Sequence, residues 1–451
     1  MDRYKRKGFL SLFIFISFCF VGIAQNPLIR NQFTADPSAR VFGDRVYVYP
    51  SHDILAPENV ARKDWFCMED YHVFSSENLT DWTDHGMIVQ QNKVPWVKPD
   101  SYSMWAPDCI ERNGKYYFYF PSTPKDTVDI GRGFTIGVAV ADKPTGPFVP
   151  EVSPIKGVKG IDPNVFMDKD GQAYLYWSAG NIFAAKLKNN MLELDSEVKT
   201  LGDLPTKGLK EGPYVFERNG IYYMTYPHVE NKIERLEYAI SDNPLGPFKV
   251  MGVIMDESPT GCWTNHHSIL EFKKQWYLFY HHNDYSPTFD KARSIRADIL
   301  SFNTDGTIKK VIPTLRGIGV TSAEKEIHID RYSKISEKGT SIAFIDPLDN
   351  FKGWKTVFNE SNAWIQYDAV DFGKKTLKSV TVKALSGTGG VLQIRTKGVD
   401  GGVIAEVKIP VSANWQEVIV PAKKMEKGIQ NLYITLKENN TQVEVHWISF
   451  K

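Results

Sequence analysis

An aromatic-rich strand recurs five times in the first three-quarters of the chain. It reads RVYVYPS from Arg45, KYYFYFPS from Lys115, QAYLYWS from Gln172, IYYMTYP from Ile221 and QWYLFYHH from Gln275. The copies lie roughly 50 to 70 residues apart, the scale of the repeating sheets of a propeller. Turn pairs precede most of them: Gly43-Asp44, Asn113-Gly114, Asp170-Gly171 and Asn219-Gly220, which are hairpin chemistry. A further strand and a turn follow, as in FSSENLTDW from Phe74, VAVADKPTGPF from Val138, YAISDNPLGPF from Tyr238 and ADILSFNTDGTI from Ala297. FAAKLKNNMLEL from Phe183 is a weaker copy. Each unit reads as a four-stranded antiparallel sheet, and helical periodicity is nearly absent. Five such sheets set radially give an all-β fold, a five-bladed β-propeller, whose closure protects its edges.

The repeat also locates a site. Shortly before each aromatic strand sits a short polar motif: Asp36-Pro37, Trp105-Ala106-Pro107-Asp108, Asp162-Pro163, Glu211-Gly212-Pro213 and Asn265-His266-His267. The innermost strand of each sheet lines the central channel, so equivalent positions converge on the axis. Asp36, Asp162 and Glu211 then meet with Trp105 and His266. Three acids at one mouth repel one another and lose solvent, which pushes their pKa values apart. Hydrolysis of a glycosidic bond needs that separation: a protonated acid for the leaving oxygen and an ionised base for water. Trp105 offers an apolar face to a sugar. His266 is a candidate metal ligand, a partner for a carboxylate, or the floor of the channel. Taken singly, an Asp-Pro is usually a turn and a Glu-Gly-Pro a common loop. Recurrence at one position of each unit carries the functional reading. The same acids could instead hold calcium, although a calcium cage wants more oxygens in regular spacing.

The chain has 451 residues with 54 basic and 53 acidic side chains, enough for two domains and without the basic excess of a nucleic-acid binder. Its 11 Trp, 21 Tyr and 26 Phe suit half-buried strands and sugar stacking equally. At the start, Arg3, Lys5, Arg6 and Lys7 precede an apolar run from Phe9 to Ile23, and Gly22 and Ala24 form a small-x-small cleavage site. Residues 1–24 are expected to be a secretory signal peptide, which makes the protein secreted or periplasmic. Losing four basic residues and Asp2 from a chain of net charge +1 leaves −2. Cys19 follows Phe18 where a lipoprotein needs a small residue, so no lipid anchor is expected, and no later stretch is long enough to span a bilayer. Cys67, Cys109 and Cys262 show no CxxC spacing and read as buried small hydrophobes.

With these residues in place, residues 27 to about 320 resemble glycoside hydrolase family 43. The likeness is carried by NPLI and Ala35-Asp36-Pro37, DWTDHG from Asp81, MWAPD from Met104 and IDPNVFMDKDG from Ile161. EGPYVF from Glu211, PLGPF from Pro244, NHHSI from Asn265, Arg293-Ser294 and DGTI from Asp305 complete it. The resemblance implies Asp36 as general base, Glu211 as general acid and Asp162 as the acid that tunes and orients the donor, with inversion at the anomeric centre. It implies His266 as the axial histidine, in some members at a metal or a metal-bound water, Arg293 as an arginine reaching the innermost sugar and Trp105 as an aromatic near the cleft. No cofactor is required, and a structural calcium is the one ion implied. Specificity is expected from loops Ser51–Asp70 and Gln90–Ser103, which with their flanks carry Trp65, Phe66, Tyr71, Trp96 and Tyr102.

Beyond residue 322 the texture changes. The charge-rich stretch Ala323–Lys338 reads as a linker entering a first strand. Alternating strands begin at Ala363, Ser379, Gly390, Val403, Trp415, Asn431 and Val443, which predicts a β-sandwich over residues 323–451. VDFG, SGTGGVLQIR and HWISF make this part resemble a jelly-roll carbohydrate-binding module of family 6. The opening Ala-Glu-x-Tyr of that family appears as Ile329-Asp330-Arg331-Tyr332. Trp354 and Trp364 are candidate stacking platforms, with a buried core position the equal alternative for Trp364, and His446 stands where a polar ligand residue is common. The expected partner of the whole chain is an arabinose- or xylose-containing plant glycan. The expected activity is an exo-acting, inverting α-L-arabinofuranosidase. A β-xylosidase is the alternative on the same scaffold, and a non-catalytic glycan-binding propeller is the alternative of another class.

Overall fold

The computed structural model describes residues 25–451 except 59, 61, 424, 439 and 440, so the expected signal peptide lies outside the described residues. The secondary structure is almost entirely β, and the helical elements among the described residues are two short 3-10 turns.

Each aromatic repeat is the second strand of its own small antiparallel sheet. Sheet I holds Phe33–Phe42, Arg45–Asp53, Asp70–Ser76 and Thr83–Gln90. Sheet II holds Asp108–Arg112, Lys115–Ser122, Thr135–Ala141 and Val149–Pro150. Sheet III holds Ile161–Met167, Ala173–Ser178, Ile182–Leu187 and Lys199–Thr200. Sheet IV holds Tyr214–Arg218, Ile221–Val229, Glu234–Ser241 and Lys249–Met255. Sheet V departs from the expected four strands: it has three, His267–Phe272, Gln275–His282 and Ser294–Leu300. The segment at Leu28 runs beside its third strand, where Leu28 N–H donates to Ile295 O at 2.9 Å. The turns explain the hairpins. Asn113-Gly114 and Asn219-Gly220 both have positive φ, as does Lys273-Lys274, which opens the fifth repeat without a glycine. That conformation matches the twist of the flanking strands.

First strands touch in order round a ring, I to II, II to III, III to IV, IV to V and V back to I. Side chains staple neighbouring sheets. Asp108, 2% exposed, accepts from Ser38 Oγ (2.6 Å) and Arg40 of sheet I and from Asn164 Nδ2 (3.1 Å) and Val165 N–H (2.7 Å) of sheet III. Asn164 Oδ1 accepts from Val215 N–H of sheet IV, and Ser268 Oγ of sheet V accepts from Ala39 N–H of sheet I, both at 2.9 Å. A buried carboxylate is tolerated only when its oxygens are so engaged. Most of the aromatic excess is core: Tyr49, Phe118, Tyr119, Phe120, Tyr176, Tyr226 and Tyr280 are fully buried. The three described cysteines are free and buried.

The remainder of the chain forms two facing sheets. One orders Thr321–Ser322, Trp364–Asp371, Ile429–Leu436, Gly390–Thr396 and Val403–Ile409, with Lys334–Ile335 also on Trp364–Asp371. The other orders Thr340–Phe344, Trp354–Phe358, Val443–Phe450, Ser379–Ser386 and Ser412–Pro421. They share one core that includes Ile365, Leu392, Leu432 and Val445, which is a β-sandwich. The expected linker is not loose. Ala323, Ile327 and Ile329 are fully buried in that core, and Ile327 exchanges backbone hydrogen bonds with Ile448. Its charges alternate with these apolar residues, a period-two pattern that marks an edge segment.

The two parts meet across a packed interface. Gln25 Nε2 donates to Tyr367 Oη (2.8 Å) and His328 O (2.7 Å), and Asn350 Nδ2 donates to Tyr285 O (2.8 Å). Trp354, expected as a sugar platform, is 7% exposed. Tyr285 stacks on it with centroids 4.7 Å apart, Phe344 lies 5.3 Å away, and the Arg331 guanidinium sits 3.7 Å from its ring centre. Its faces are covered, so it fastens the interface rather than offering a sugar surface. Trp364 is half-buried in its strand.

Candidate active site

The polar motifs ahead of the repeats converge as their positions predict. Asp36, Trp105, Asp162, Glu211, His266 and Arg293 all line one pocket with about 580 Å³ of space, part of it open to solvent. Trp65, Phe66 and Trp263 complete its apolar wall.

Local backbone geometry places the two aspartates. Ala35 pairs with Ser51 and Ser38 with Tyr49, so Asp36-Pro37 bulges opposite the single residue Pro50. Ile161 pairs with Ser178 and Asn164 with Tyr176, so Asp162-Pro163 bulges in the same way opposite Trp177. A bulge tolerates a proline that cannot donate to the ladder. Asp36 and Asp162 also share a left-handed backbone, φ 48° and 57°, a conformation retained where surrounding structure enforces it. Glu211 is placed differently, in the loop entering sheet IV. Gly212 N–H donates to Asp162 Oδ2 at 2.9 Å. A Cβ at Gly212 would lie 3.0 Å from His266 Nδ1 and from Pro227, and its φ is 52°. Only glycine lets the acid's loop approach the axis this closely.

Asp36 is held ionised. Arg293 Nη1 donates to its Oδ1 at 2.8 Å, Ser51 Oγ to its Oδ2 at 2.7 Å, and its own N–H to His281 Nδ1 at 3.1 Å. Burial alone would raise its pKa. Arg293, with the Ser51 hydrogen bond, outweighs burial and holds it at about 2. Arg293 in turn is clamped by Asp53, which accepts from Nε and Nη2 at 2.9 Å each. With Thr264 Oγ1 on Nη1 and Asp36 Oδ2 on Nη2, all five guanidinium donors are engaged. Arg293 therefore reaches the pocket wall as the clamp of Asp36 and has no free N–H for a sugar.

The other side of the pocket is biased the opposite way. Burial, and then the charge of Glu211, push Asp162 well above the carboxylate range. Burial also raises Glu211, partly offset by a hydrogen bond from a further acid, Glu234. Glu234 is buried and raised well above its ordinary value by burial and by Glu211. His266 is half-buried, and burial lowers its pKa, so it is a neutral imidazole. It does not build a calcium cage from protein groups: calcium wants six to eight oxygens, while His266 brings a nitrogen and Asp36 beside it is engaged by Arg293. Among the described residues, the side chains grouped closely enough to hold a metal are His52, Asp70 and His72, elsewhere on sheet I.

Asp53, Ser51, His281 and Glu234 were not anticipated from sequence. Each lies at the end of a second strand or the start of a third. Antiparallel pairing returns those positions to the axis end, as Ala35 opposite Ser51 and Val229 opposite Glu234 show. Among the loop aromatics, Trp65, Phe66 and Tyr102 line the pocket or a groove of about 1050 Å³ adjoining it. Tyr71 and Trp96 do not. Both are buried, and Trp96 stacks on Phe120 at 5.8 Å against Gly137.

Residues 24–308 match the model of glycosyl hydrolases family 43, and residues 334–451 match that of carbohydrate binding module family 6. The chain belongs to glycosyl hydrolase family 43. This family 43 chain is 37% identical to the xylosidase/arabinosidase 43A of Humicola insolens, over 62% of its own length and 98% of that protein's. An arabinoxylan arabinofuranohydrolase of Paenibacillus polymyxa is 26% identical and spans 91% of this chain and 71% of its own. Among solved structures, a GH43 beta-xylosidase/alpha-arabinofuranosidase from a compost microbial metagenome, in complex with xylotriose, matches at 36% identity. It has a TM-score of 0.57 and covers 64% of this chain and 98% of that one.

Proposed function

We propose that this family 43 hydrolase is an inverting exo-glycosidase that removes terminal α-L-arabinofuranosyl groups from arabinoxylan-type plant glycan. One observation carries the mechanism: a single pocket holds an ionised carboxylate, Asp36, and a carboxyl biased toward protonation, Glu211. Asp36 takes a proton from water as the water oxygen bonds the anomeric carbon. Glu211 gives its proton to the departing glycosidic oxygen as the carbon–oxygen bond breaks. The base stands on sheet I and the acid at sheet IV, which are not neighbours in the ring. Asp162, hydrogen-bonded to the Gly212 N–H, fixes the acid's loop and keeps negative charge near the donor low. Acid and base are both supplied by the chain, so the reaction as drawn requires no cofactor, and a calcium ion near His266, held through water, would have a structural role.

The arabinofuranosyl preference is supported by a relative that spans both parts of the chain, an arabinoxylan arabinofuranohydrolase. A β-xylosidase activity is the second reading, favoured by the xylosidase/arabinosidase matched over the catalytic part alone. Aryl α-L-arabinofuranoside and aryl β-D-xyloside assayed side by side separate the two, with NMR of the first-formed anomer testing inversion. Release from the xyloside alone would overturn the sugar, a retained anomer would overturn the mechanism, and glycan binding without any release would make the protein a lectin. The ring of five sheets supports a five-bladed propeller for the catalytic part. The leader supports export, for which N-terminal sequencing of secreted protein should read from Gln25.

A further inference from the structure

The pocket contains an acid for which the two-carboxylate mechanism has no use. Glu234, the first residue of the third strand of sheet IV, is 1% exposed and lines the pocket beside Glu211. Its backbone is pinned, since its N–H donates to Trp263 O at 3.0 Å. Its Oε2 accepts the Asn265 N–H at 2.7 Å. No N–H or hydroxyl reaches its Oε1 among the described residues. The Glu211 carboxyl lines the same pocket and is in side-chain hydrogen-bonding contact with Glu234; with Oε2 taken by Asn265, Oε1 is the oxygen left for that bond. Two carboxylates have only acceptors, so such a bond requires a proton between them.

The charged and titratable groups facing the pair do not remove that requirement. Asp36 from sheet I adds negative charge, Asp162 from sheet III is itself biased toward protonation, Arg293 from sheet V is saturated by Asp36 and Asp53, and His266 is neutral. Lys210, next to Glu211 in sequence, turns its Nζ to Gly208 O at 3.2 Å.

We propose that Glu234 is a positioning residue for the general acid: it stays a neutral carboxylic acid through the reaction and donates its Oε1 hydrogen to Glu211. This rests on the reading of Glu211 as the acid. The bond fixes the carboxyl that must face the leaving oxygen. As Glu211 loses its proton to that oxygen, the Glu234 hydroxyl stabilises the carboxylate left behind, as a buried neutral acid can. Glu234 transfers nothing itself, and Glu211 is reprotonated from solvent in the next cycle.

The test is E234A and E234Q in the full chain, with E211A alongside. Without the donor, the Glu211 conjugate base is less stable, so E234A should move the basic limb of kcat/KM to higher pH by about one unit and lower kcat roughly tenfold or more, with KM little changed. The defect should shrink on a dinitrophenyl glycoside, whose leaving group needs no proton. E234Q keeps an N–H donor and should stay within a few-fold of wild type. A basic limb that moves down in E234Q would mean Glu234 is ionised. An unmoved limb with only a raised KM would make it a sugar ligand, and an unmoved limb with only a lowered Tm would make it structural; each overturns the proposal. Full activity in E211A would overturn the acid assignment instead, which keeps the two failures apart.

Discussion

Asp36 and Glu211 face one pocket, yet the two sides that hold them are built on opposite principles. The side of sheets I and V surrounds its carboxylates with donors: Arg293 and Ser51 on Asp36, and Arg293 again on Asp53. The side of sheets III and IV gathers Asp162, Glu211 and Glu234 with backbone N–H groups and with each other, and among the described residues offers them no free cation. Burial disfavours charge on both sides. Where an arginine outweighs it, the carboxylate is held ionised, as the proposed base must be; where nothing does, the carboxyl is biased toward protonation, as the proposed acid must be. The difference between the two roles lies in the neighbours and not in the residue type.

The largest expected effect comes from removing the proposed base. D36N keeps an oxygen for Arg293 and loses proton acceptance, so kcat/KM should fall on the order of 10³-fold or more on every substrate, with Tm close to wild type. Activity on aryl and natural glycosides alike checks this, and a loss confined to one leaving group would contradict the assignment. E211Q should show the contrasting pattern. Its loss, on the order of 10²-fold or more on natural glycan, should largely vanish on a dinitrophenyl glycoside.

The third test is R293M, which makes the base side resemble the acid side. Asp36 and Asp53 become buried and unpaired, at a cost of about 3–5 kcal/mol near neutral pH. The sign follows from the depressed pKa. Asp36 at about 2 in the folded chain, against 3.8 as its reference, adds stability that is present above pH 3.8 and is lost as pH falls through 2. In R293M the pKa of Asp36 rises instead. The stability deficit should therefore be greatest near neutrality and shrink on acidification, and the acidic limb of kcat/KM should move up. Thermal melts across pH and a pH–rate profile measure both.

The two sides were not equally legible in the sequence. The five aromatic strands made the sheets readable, and the motifs preceding them identified Asp36, Asp162 and Glu211 because repetition marks position. Arg293 was legible as a site residue but not as a clamp, since Asp53 is a single acid at a strand end with no motif of its own. Glu234 was hidden for the same reason. Trp354 shows a different limit: a tryptophan on a sandwich strand looks alike whether its face meets sugar or Tyr285, and only the docking of the two parts decides. Strands Thr340–Phe344 and Trp354–Phe358 were missed because the first of these leaves its alternate residues half-exposed, which weakens the period-two signal.

The smallest expected effect tests how redundant the base side is. Ser51 Oγ gives Asp36 one hydrogen bond at 2.7 Å, while Arg293 gives it two, at 2.8 and 3.2 Å. S51A removes the weaker contribution to the depressed pKa and leaves the guanidinium in place. Asp36 should then remain ionised at neutral pH, so kcat/KM there should change less than about threefold, and stability should fall by about 1 kcal/mol. The acidic limb should move up by less than in R293M. Equal shifts in the two variants would mean that the hydroxyl, not the guanidinium, keeps Asp36 ionised, and the contrast between the two sides of the pocket would then rest on hydrogen bonding rather than on charge.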